Sequence, residues 1–342
     1  MTAMSALQKQ KPLGVGATRA AELLQGALCC DLHGCMPMRP KDENFLPQLE
    51  RYRAAGVKVV FLNVGFDVQS IEDHVRLLAH FRGWLRRHSD NYMLITDVSS
   101  IEKAASVGKL AVAFDIEGMN AIADQPTLIE FYYDLGVRWM LIAYNRNNLV
   151  GGGCQDKDSG LTPYGREVIP EMARVGMMLC CSHTGKRTAL EAIDLSPNPV
   201  IFSHSNPAAI HQHPRNIDDE VIKACARRGG LVGINGIGRF LGENDNSTAT
   251  YVRHIDYVAQ LVGPEHVGIG LDYVFDTAEA DDYHARFPEM YPAHLSGSGY
   301  KLVQPEQIPE VVEALLRRGY SEASIKCILG GNVLRIAKSV WR

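Results

Sequence analysis

The sequence predicts an α/β protein with the (β/α)8 TIM-barrel fold. Eight short apolar runs alternate with segments of helical periodicity, which is the pattern of parallel strands that are each followed by a helix. The runs lack polar alternation, as expected of strands buried on both faces. An open doubly wound sheet is the alternative. Only the nucleotide-binding version of that fold is disfavoured, because GIGLD at 268–272, which resembles a dinucleotide loop, lacks the full glycine fingerprint.

The predicted elements follow one another along the chain. The strands are 27–33, 57–64, 109–117, 138–145, 176–183, 199–205, 230–236 and 266–272. The helices between them are 44–55, 68–88, 124–135, 163–175, 186–194, 218–228 and 249–262. After the last strand comes a long excursion, 273–305, and then two more helices, 306–318 and 321–328. We expect the excursion to cover the site or to form a subunit contact.

Composition limits the number of domains and the classes of partner. The 342 residues are expected to form one barrel domain over 1–342, with residues 1–15 as a loose leader. A net charge of −4 without any Lys/Arg-rich block argues against nucleic acid as a partner. No apolar run approaches the roughly 18 residues of a membrane span. Eight cysteines, mostly in strand-like runs, favour reduced thiols and a cytoplasmic location over a disulfide framework.

The residues at the ends of the predicted strands point to a function. In chain order they are His33, Asn63, Glu117, Asn145, His183, His204, Asn235 and Asp272. Barrel active sites lie at the C-terminal mouth and draw side chains from several strand ends. A single histidine in such a place is more often structural. Three histidines, a glutamate and an aspartate at equivalent ends favour a metal site.

The chemistry of these side chains indicates zinc. His33 and Cys35 are two residues apart, so in an extended chain both point to the same face. Glu117 offers a carboxylate able to bridge two ions, while His183 and His204 add imidazoles from consecutive strands. Imidazole, carboxylate and thiolate together suit zinc, and two ions sharing a carboxylate would form a hydrolytic centre. The alternative for Cys35 is a small buried thiol without a ligand role.

Several motifs together resemble the membrane (renal) dipeptidase family of zinc-dependent, amidohydrolase-like barrels. They are DIEGMNAI, GLTPYGREVIPEMARVGMMLCCSH, SHTGKRTALEA, PVIFSHSNPAAIHQHPRNI, HVGIGLDY and LGGNVLRI. They occur in the family's order and spacing from about residue 27 to the C-terminus. GLTPYG…SH and FSHS…HPRN are its most specific signatures.

The resemblance implies a role for each site residue. His33 would bind the first metal ion, and Glu117 would bridge. His183 and His204 would bind the second ion. Arg215 would pair with the substrate's C-terminal carboxylate through its fork of donors, although by itself it reads as a surface ion-pair residue. Asp272 would deliver a proton to the leaving amine.

Two positions depart from the family pattern. The family has His-x-Asp at the first strand, whereas Cys35 stands at the Asp position. Thiolate is a softer ligand, so the first metal site is expected to be rebuilt, weakened or empty. After the fourth strand the family carries a substrate-contacting His before Asn, and here Tyr144 precedes Asn145. A phenol can donate a hydrogen bond to an oxyanion. The run YNRNNLVGGGC at 144–154 resembles a bacterial branch with Tyr-Asn at this point.

The leading hypothesis is a zinc-dependent dipeptidase-like hydrolase with one or two ions. It would cleave the amide bond of a dipeptide or dipeptide-like small molecule by attack of metal-bound hydroxide. Glu117, Tyr144 and Asp272 are the catalytic candidates, and Arg215, Tyr144 and Asn145 are the substrate-binding ones. One alternative is a member with a mononuclear or rewired site acting on a different small amide or natural-product intermediate. Another is a non-catalytic barrel that only binds ligands. The resemblance also implies a homodimer.

Overall fold

A computed structural model describes residues 19–292, Gly299 and residues 301–342. The predicted loose leader, residues 1–15, lies outside the described residues. The single domain over 1–342 stays a prediction.

Within the described residues, parallel strands form one sheet that closes into a barrel. The strands are β1 Cys30–Cys35, β2 Val59–Phe66, β3 Tyr92–Leu94, β4 Leu110–Glu117, β5 Val137–Leu141, β6 Met178–Cys180, β7 Ile201–Phe202, β8 Leu231–Asn235, β9 Val267–Gly270 and β10 Tyr273–Val274. The ring runs β1-β2-β4-β5-β6-β7-β8-β9 and closes where Asp31 of β1 pairs with Ile269 of β9. The predicted eight-stranded barrel is therefore confirmed.

Helices surround the ring. They are α1 Arg19–Gly26, α2 Leu49–Ala54, α3 Ile71–Arg87, α4 Val98–Ser106, α5 Leu128–Asp134, α6 Pro163–Val175, α7 Lys186–Leu195, α8 Asp219–Arg227, α9 Gly238–Leu241, α10 Thr248–Val262, α11 Thr277–Arg286, α12 Ile308–Arg317, α13 Glu322–Lys326 and α14 Asn332–Val340. Short 3₁₀ turns at Leu46–Gln48, Met119–Ile122, Pro264–His266 and Pro305–Gln307, and a π turn at Cys327–Gly331, complete the pattern. None of the helices in the described part of the chain combines the length and apolar character of a membrane span.

Alternation along the strands separates the barrel interior from the layer beneath the helices. On β4, Val112, Phe114 and Ile116 pack outward in the larger apolar cluster, while Ala111 and Ala113 pack inward. Asp115 and Glu117 continue the inward face. Small side chains at the bottom of the strand and carboxylates at its top place β4's polar atoms at the barrel mouth.

The structure corrects the predicted elements at several places. The strands β3 and β10 were not predicted. β3 pairs with β4 of the ring, and β10 pairs with β1. The helices α1, α4, α9, α11 and α14 were also missed, since short amphipathic segments give a weak periodic signal. Observed strands such as β6 and β7 end before His183 and His204. Those histidines lie in the turns that follow the strands.

Candidate active site

A cleft opens at the C-terminal mouth of the barrel. Among the predicted site residues, those that line it are Cys35, Glu117, Tyr144, Asn145, His183, Arg215 and Asp272. His33 and His204 are fully buried and contact Glu117. The structure thus brings all nine predicted residues together. The cover of the cleft comes from the segment 276–291, which carries α11 and contributes Tyr283 and Tyr291 to the lining.

Left-handed backbone turns the strand ends towards this cleft. Asn145, His183 and Asp272 have φ values of 61°, 62° and 53°, a region that non-glycine residues rarely adopt. Backbone strain of this kind persists only where surrounding contacts enforce it, and it concentrates at functional sites. Three such residues at three strand ends mark the barrel mouth as the site.

Glu117 lies at the centre of the cluster, with its two oxygens facing different histidines. Oε2 is 3.5 Å from Nε2 of His33. Oε1 is 3.3 Å from Nε2 of His183 and 3.2 Å from Nε2 of His204, yet it has no hydrogen bond of acceptable geometry. A carboxylate placed between two imidazole groups in this way is suited to bridging two cations.

Each of the three imidazoles is held by a different partner on its Nδ1 side. Nδ1 of His33 lies 3.2 Å from Oδ1 and 3.3 Å from Oδ2 of Asp115. Nδ1 of His183 is 2.7 Å from Oδ1 of Asn145. His204 has its Nδ1 2.8 Å from Oγ of Ser203. An outer partner on one ring nitrogen leaves the other free to bind a metal ion, which is the usual arrangement of metal-binding histidines.

The donor set therefore fits metal ions. Nε2 of His183 and Nε2 of His204 are only 2.9 Å apart. When Asn145 and Ser203 accept from the Nδ1–H groups, both Nε2 atoms present lone pairs to each other, and a cation would relieve their repulsion. Two groups of ligand atoms converge within 4.8 Å, one from His33, Cys35 and Asp272 and the other from His33, Glu117 and His204.

Cys35 and Asp272 form the β1 side of the cluster. The Sγ of Cys35 lies 3.4 Å from Nε2 of His33 and donates to Oδ1 of Asp272 at 3.2 Å. Oδ2 of Asp272 accepts from Nδ2 of Asn235 at 2.8 Å, which fixes the carboxylate in the cleft. The same-face placement predicted for His33 and Cys35 is observed.

The electric field differs across the cluster. Burial lowers the pKa of His33, but Glu117 and Asp115 outweigh it and raise that pKa well above its ordinary value. Burial and the Arg215 guanidinium lower the pKa of His183 to about 3. Burial alone would raise the pKa of Glu117, yet the surrounding imidazoles, His33 foremost, hold it well below its usual range. The β1 side is thus the more negative one.

Tyr144 forms an aromatic wall of the cleft. Its ring stacks on His183 at 4.0 Å between centroids and packs against Phe66 at 4.7 Å. Its hydroxyl is 2.9 Å from the hydroxyl of Tyr291 on the covering segment. Burial raises the pKa of Tyr144 well above its ordinary value, so the phenol stays a neutral hydrogen-bond donor.

Arg215 is a buried cation that lines the same cleft. It is 4% exposed, and its guanidinium lies 5.4 Å from the centroid of the Phe240 ring. Nη2 makes a long contact of 3.4 Å with the carbonyl of His204, and Nε has no hydrogen-bond partner. Among the described residues, no carboxylate forms an ion pair with it. A buried guanidinium with unused donors is suited to an anionic group of a ligand.

Sequence reasoning missed the residues that position the site. Asp115 stands two residues before Glu117, so strand alternation could have placed both carboxylates on one face. Asn63 was recognised only as a strand end, and its Nδ2 donates to Oδ1 of Asp115 at 2.9 Å. Asp67 accepts from the backbone N–H of Tyr144 at 3.0 Å and of Asn120 at 2.9 Å. Nothing in the sequence indicates that pairing, because the three residues lie on separate loops.

Comparisons with known proteins agree with this geometry. A sequence model of the membrane dipeptidases (peptidase family M19) matches residues 18–285. Dipeptidase verJ of Clonostachys rogersoniana is 32% identical over 261 residues, which cover 75% of this chain and 62% of that protein. Dipeptidase tcpJ of Claviceps purpurea is 29% identical over 259 residues, covering 74% of this chain and 56% of that protein. The chain thus spans little more than half the length of these curated relatives.

Solved structures share the fold over nearly the whole chain. An amidohydrolase from Pseudomonas aeruginosa superposes with a TM-score of 0.85 at 30% identity, covering 94% of this chain and 99% of that one. A metallopeptidase from Rhodobacter sphaeroides, solved with a phosphinate mimic of the dipeptide L-Ala-D-Ala, gives a TM-score of 0.75 at 18% identity. It covers 92% of this chain and 99% of that one, and at this identity it supports the barrel fold alone.

Proposed function

We propose that this chain, which belongs to the membrane dipeptidase family (peptidase family M19), uses bound metal ions to hydrolyse an amide bond. The substrate would be a dipeptide or a dipeptide-like small molecule. The observation that carries the proposal is the placement of Glu117, whose two oxygens face His33 on one side and His183 and His204 on the other. The named relatives verJ and tcpJ are dipeptidases, which supports the substrate class.

We propose zinc as the ion. Imidazole nitrogen, carboxylate oxygen and a thiol sulfur converge at this site, and zinc accepts all three donors. When bound, the ions would lower the pKa of a water molecule and polarise the scissile carbonyl. His33, Cys35 and Glu117 would hold one ion, and His183, His204 and Glu117 the other.

The remaining residues would bind the substrate and move protons. Arg215 would receive the C-terminal carboxylate through its guanidinium, whose Nε has no partner. Tyr144 would donate from its hydroxyl to the developing oxyanion, and Asn145 would hold His183 while lining the pocket. Asp272, which lies in the cleft 3.6 Å from Nε2 of His33, would accept a proton from the attacking water and pass it to the departing amine.

A panel of dipeptides tests this proposal. Purified protein is expected to contain zinc and to hydrolyse at least some dipeptides, including X-D-Ala types, with loss of activity after chelation and recovery on adding zinc back. The matched control is Glu117→Gln, which keeps the side chain's size and removes its charge. A protein that binds metal but cleaves none of the dipeptides would refute the substrate class.

A second candidate is hydrolysis of a different small amide by a rewired centre. Two positions favour it, Cys35 and Tyr144, because both alter the part of the site that meets the substrate. The experiment is to exchange Cys35 for Asp and to assay dipeptides. A gain in dipeptide turnover would support the second candidate, and a loss would support the first.

A homodimer and a cytoplasmic location complete the proposal. The dimer rests on the family, and its test is the mass in solution by light scattering. The location is supported by the eight cysteines, all of which are free thiols, as in proteins of reducing compartments. Fractionation of cells that produce the tagged full-length protein tests the location.

A further inference from the structure

We propose that the two halves of the metal centre are unequal, and that Cys35 binds an ion as a thiolate in the half that fills first. This inference deepens the proposed function and rests on it. The first half comprises His33 and Cys35, with the Asp272 carboxylate beside them, and the second half comprises His183 and His204. Glu117 stands between them.

Cys35 points at the metal cluster. Its Sγ contacts Nε2 of His33 at 3.4 Å and Oδ1 of Asp272 at 3.2 Å, and these atoms lie within 4.8 Å of one another. By contrast, Cys29 and Cys181 are fully buried in the hydrophobic core. A thiol that served only as a small packing residue would have apolar neighbours. Cys35 instead lines the cleft between an imidazole and a carboxylate.

The first half carries most of the negative charge. Asp272 places a carboxylate beside it, 3.6 Å from Nε2 of His33, and Asp115 places a second one behind His33, at 3.2 Å from its Nδ1. Neither Asn145 nor Ser203, which hold the imidazoles of the second half, is charged. Arg215 also lines the cleft, and its positive charge acts on His183. A divalent cation is therefore drawn to the first half before the second.

The chemistry of the thiol reinforces this order. On binding, the S–H bond of Cys35 breaks, a sulfur–metal bond forms, and the proton leaves to the solvent. The resulting thiolate carries the same charge as the aspartate that the family pattern has here, so the exchange conserves the charge of the half-site. Sulfur favours zinc or cobalt(II) over magnesium or manganese(II). We therefore expect the first half to be the tighter and the more selective one, whereas the sequence suggested a rebuilt, weakened or empty site.

Titration of the metal-free full-length protein with cobalt(II) tests the inference without any substrate. The first equivalent is expected to produce a thiolate-to-cobalt charge-transfer band in the near ultraviolet, which stops growing at one ion per chain. The second equivalent should add only the weaker visible bands of cobalt. Absence of the near-ultraviolet band, or its growth only with the second equivalent, would overturn the inference.

Variants assign the band to its residue. Cys35→Ser should abolish the band. It should also lower the affinity of the first binding step by about 100-fold, because loss of a ligand costs at least as much as loss of a residue that only supports a ligand. Cys154→Ser and Cys327→Ser are the matched controls, since these thiols are also partly buried, and both should keep the band. His183→Gln should keep the band and the first equivalent while losing the second. A band that survives in Cys35→Ser, or disappears in His183→Gln, contradicts the proposal.

The spectroscopic result separates the two proposals. A band at the first equivalent in a protein that cleaves no dipeptide supports the unequal metal centre and refutes the substrate class. Dipeptide cleavage by a protein without the band refutes the role of Cys35 and leaves the proposed function in place.

Discussion

At the scale of single residues, the geometry of the candidate site depends on the partners of the histidines as much as on the histidines. Asp115 is fully buried, and burial raises its pKa to about 6, a rise that the His33 imidazole limits. Asn63 donates to the same carboxylate. Held in this way, Asp115 fixes the orientation of His33 and makes its Nε2 more basic, which would strengthen binding to a metal ion. The three ligand-type histidines therefore differ in strength through their partners.

Replacing Asp115 by Asn tests that statement. The amide oxygen can still accept from Nδ1 of His33, so the change removes charge and keeps the shape. We expect metal affinity at the first half to fall by about 10- to 100-fold, measured by competition with a chromogenic chelator. Asp134→Asn on the exposed surface of α5 is the control and should leave affinity unchanged. Equal affinities for Asp115→Asn and wild type would refute the positioning role.

Arg215 offers a second test at this scale. Arg215→Lys keeps the charge but loses the forked donors, so KM for a dipeptide should rise by about 10- to 100-fold, the effect expected for a lost charge-assisted hydrogen bond. The control substrate is the matching dipeptide amide, which has no carboxylate, and its KM should hardly change. A parallel rise for both substrates would show that Arg215 supports the fold of the site and does not bind the carboxylate.

At the scale of elements, one carboxylate joins three loops of the mouth. Asp67, after β2, accepts from the backbone of Asn120 and of Tyr144, and from Nδ2 of Asn148 at 3.0 Å. The segment 276–291 adds a second connection, because the carbonyl of Met290 accepts from Asn145 at 3.1 Å. The loop that carries Tyr144 and Asn145 is thus held by Asp67 on one side and by the segment 276–291 on the other.

The Asp67 connection predicts a pH dependence of stability. Burial raises the pKa of Asp67 from 3.8 to about 6. Its stabilising contribution is therefore greatest below pH 3.8 and is lost as pH rises through 6, a difference of about 3 kcal/mol. Asp67→Asn cannot titrate, and its amide group would face N–H donors at a cost of about 1–3 kcal/mol. The difference in free energy of unfolding between wild type and variant (the stability gap) should therefore widen as pH falls from 7.5 to 4.

Urea unfolding of the metal-free protein at both pH values measures this gap. Asp134→Asn again serves as the control, with a gap that does not depend on pH. A gap for Asp67→Asn that is constant or narrows towards acid would show that the native pKa of Asp67 is not raised.

At the scale of the whole molecule, closure of the barrel brings β7, β8 and β9 backbones very close together. A Cβ on Gly270 would lie 1.9 Å from the carbonyl oxygen of Ser203, and a Cβ on Gly233 would lie 2.2 Å from the same atom. Asp31 completes the closure by accepting from the backbone N–H of Leu271 at 2.8 Å. The ring therefore leaves no room for side chains at these glycines.

Two glycine substitutions test this description. Gly270→Ala is expected to destabilise the protein by about 1–3 kcal/mol, because the clash involves backbone atoms that cannot easily move aside. Gly83→Ala in α3 meets only the end of Arg87 at 3.4 Å and should stabilise by about 0.5–1 kcal/mol. Thermal unfolding measures both. A neutral Gly270→Ala would mean that the strands of the barrel are less tightly packed than described.

The sequence by itself determined the barrel and most of the residues that meet at its mouth. Buried parallel strands show apolar runs, and their C-terminal ends must carry the polar side chains of the mouth, so both features are local in sequence. Helix α6 was predicted as 163–175 and observed as Pro163–Val175, because Thr162 provides an N-cap and Gly176 a left-handed end.

Only the tertiary structure decided how these residues meet. The pairing of β1 with β2 shifts register between Asp31 and Gly34, so Leu32 and His33 both reach the interior, which strict alternation would forbid. The pairing of Asp115 with His33 joins residues 82 positions apart, and the covering segment 276–291 meets Tyr144 from a distant part of the chain. Such contacts follow from the closure of the ring, whereas sequence periodicity reports only which face a residue takes within its own element.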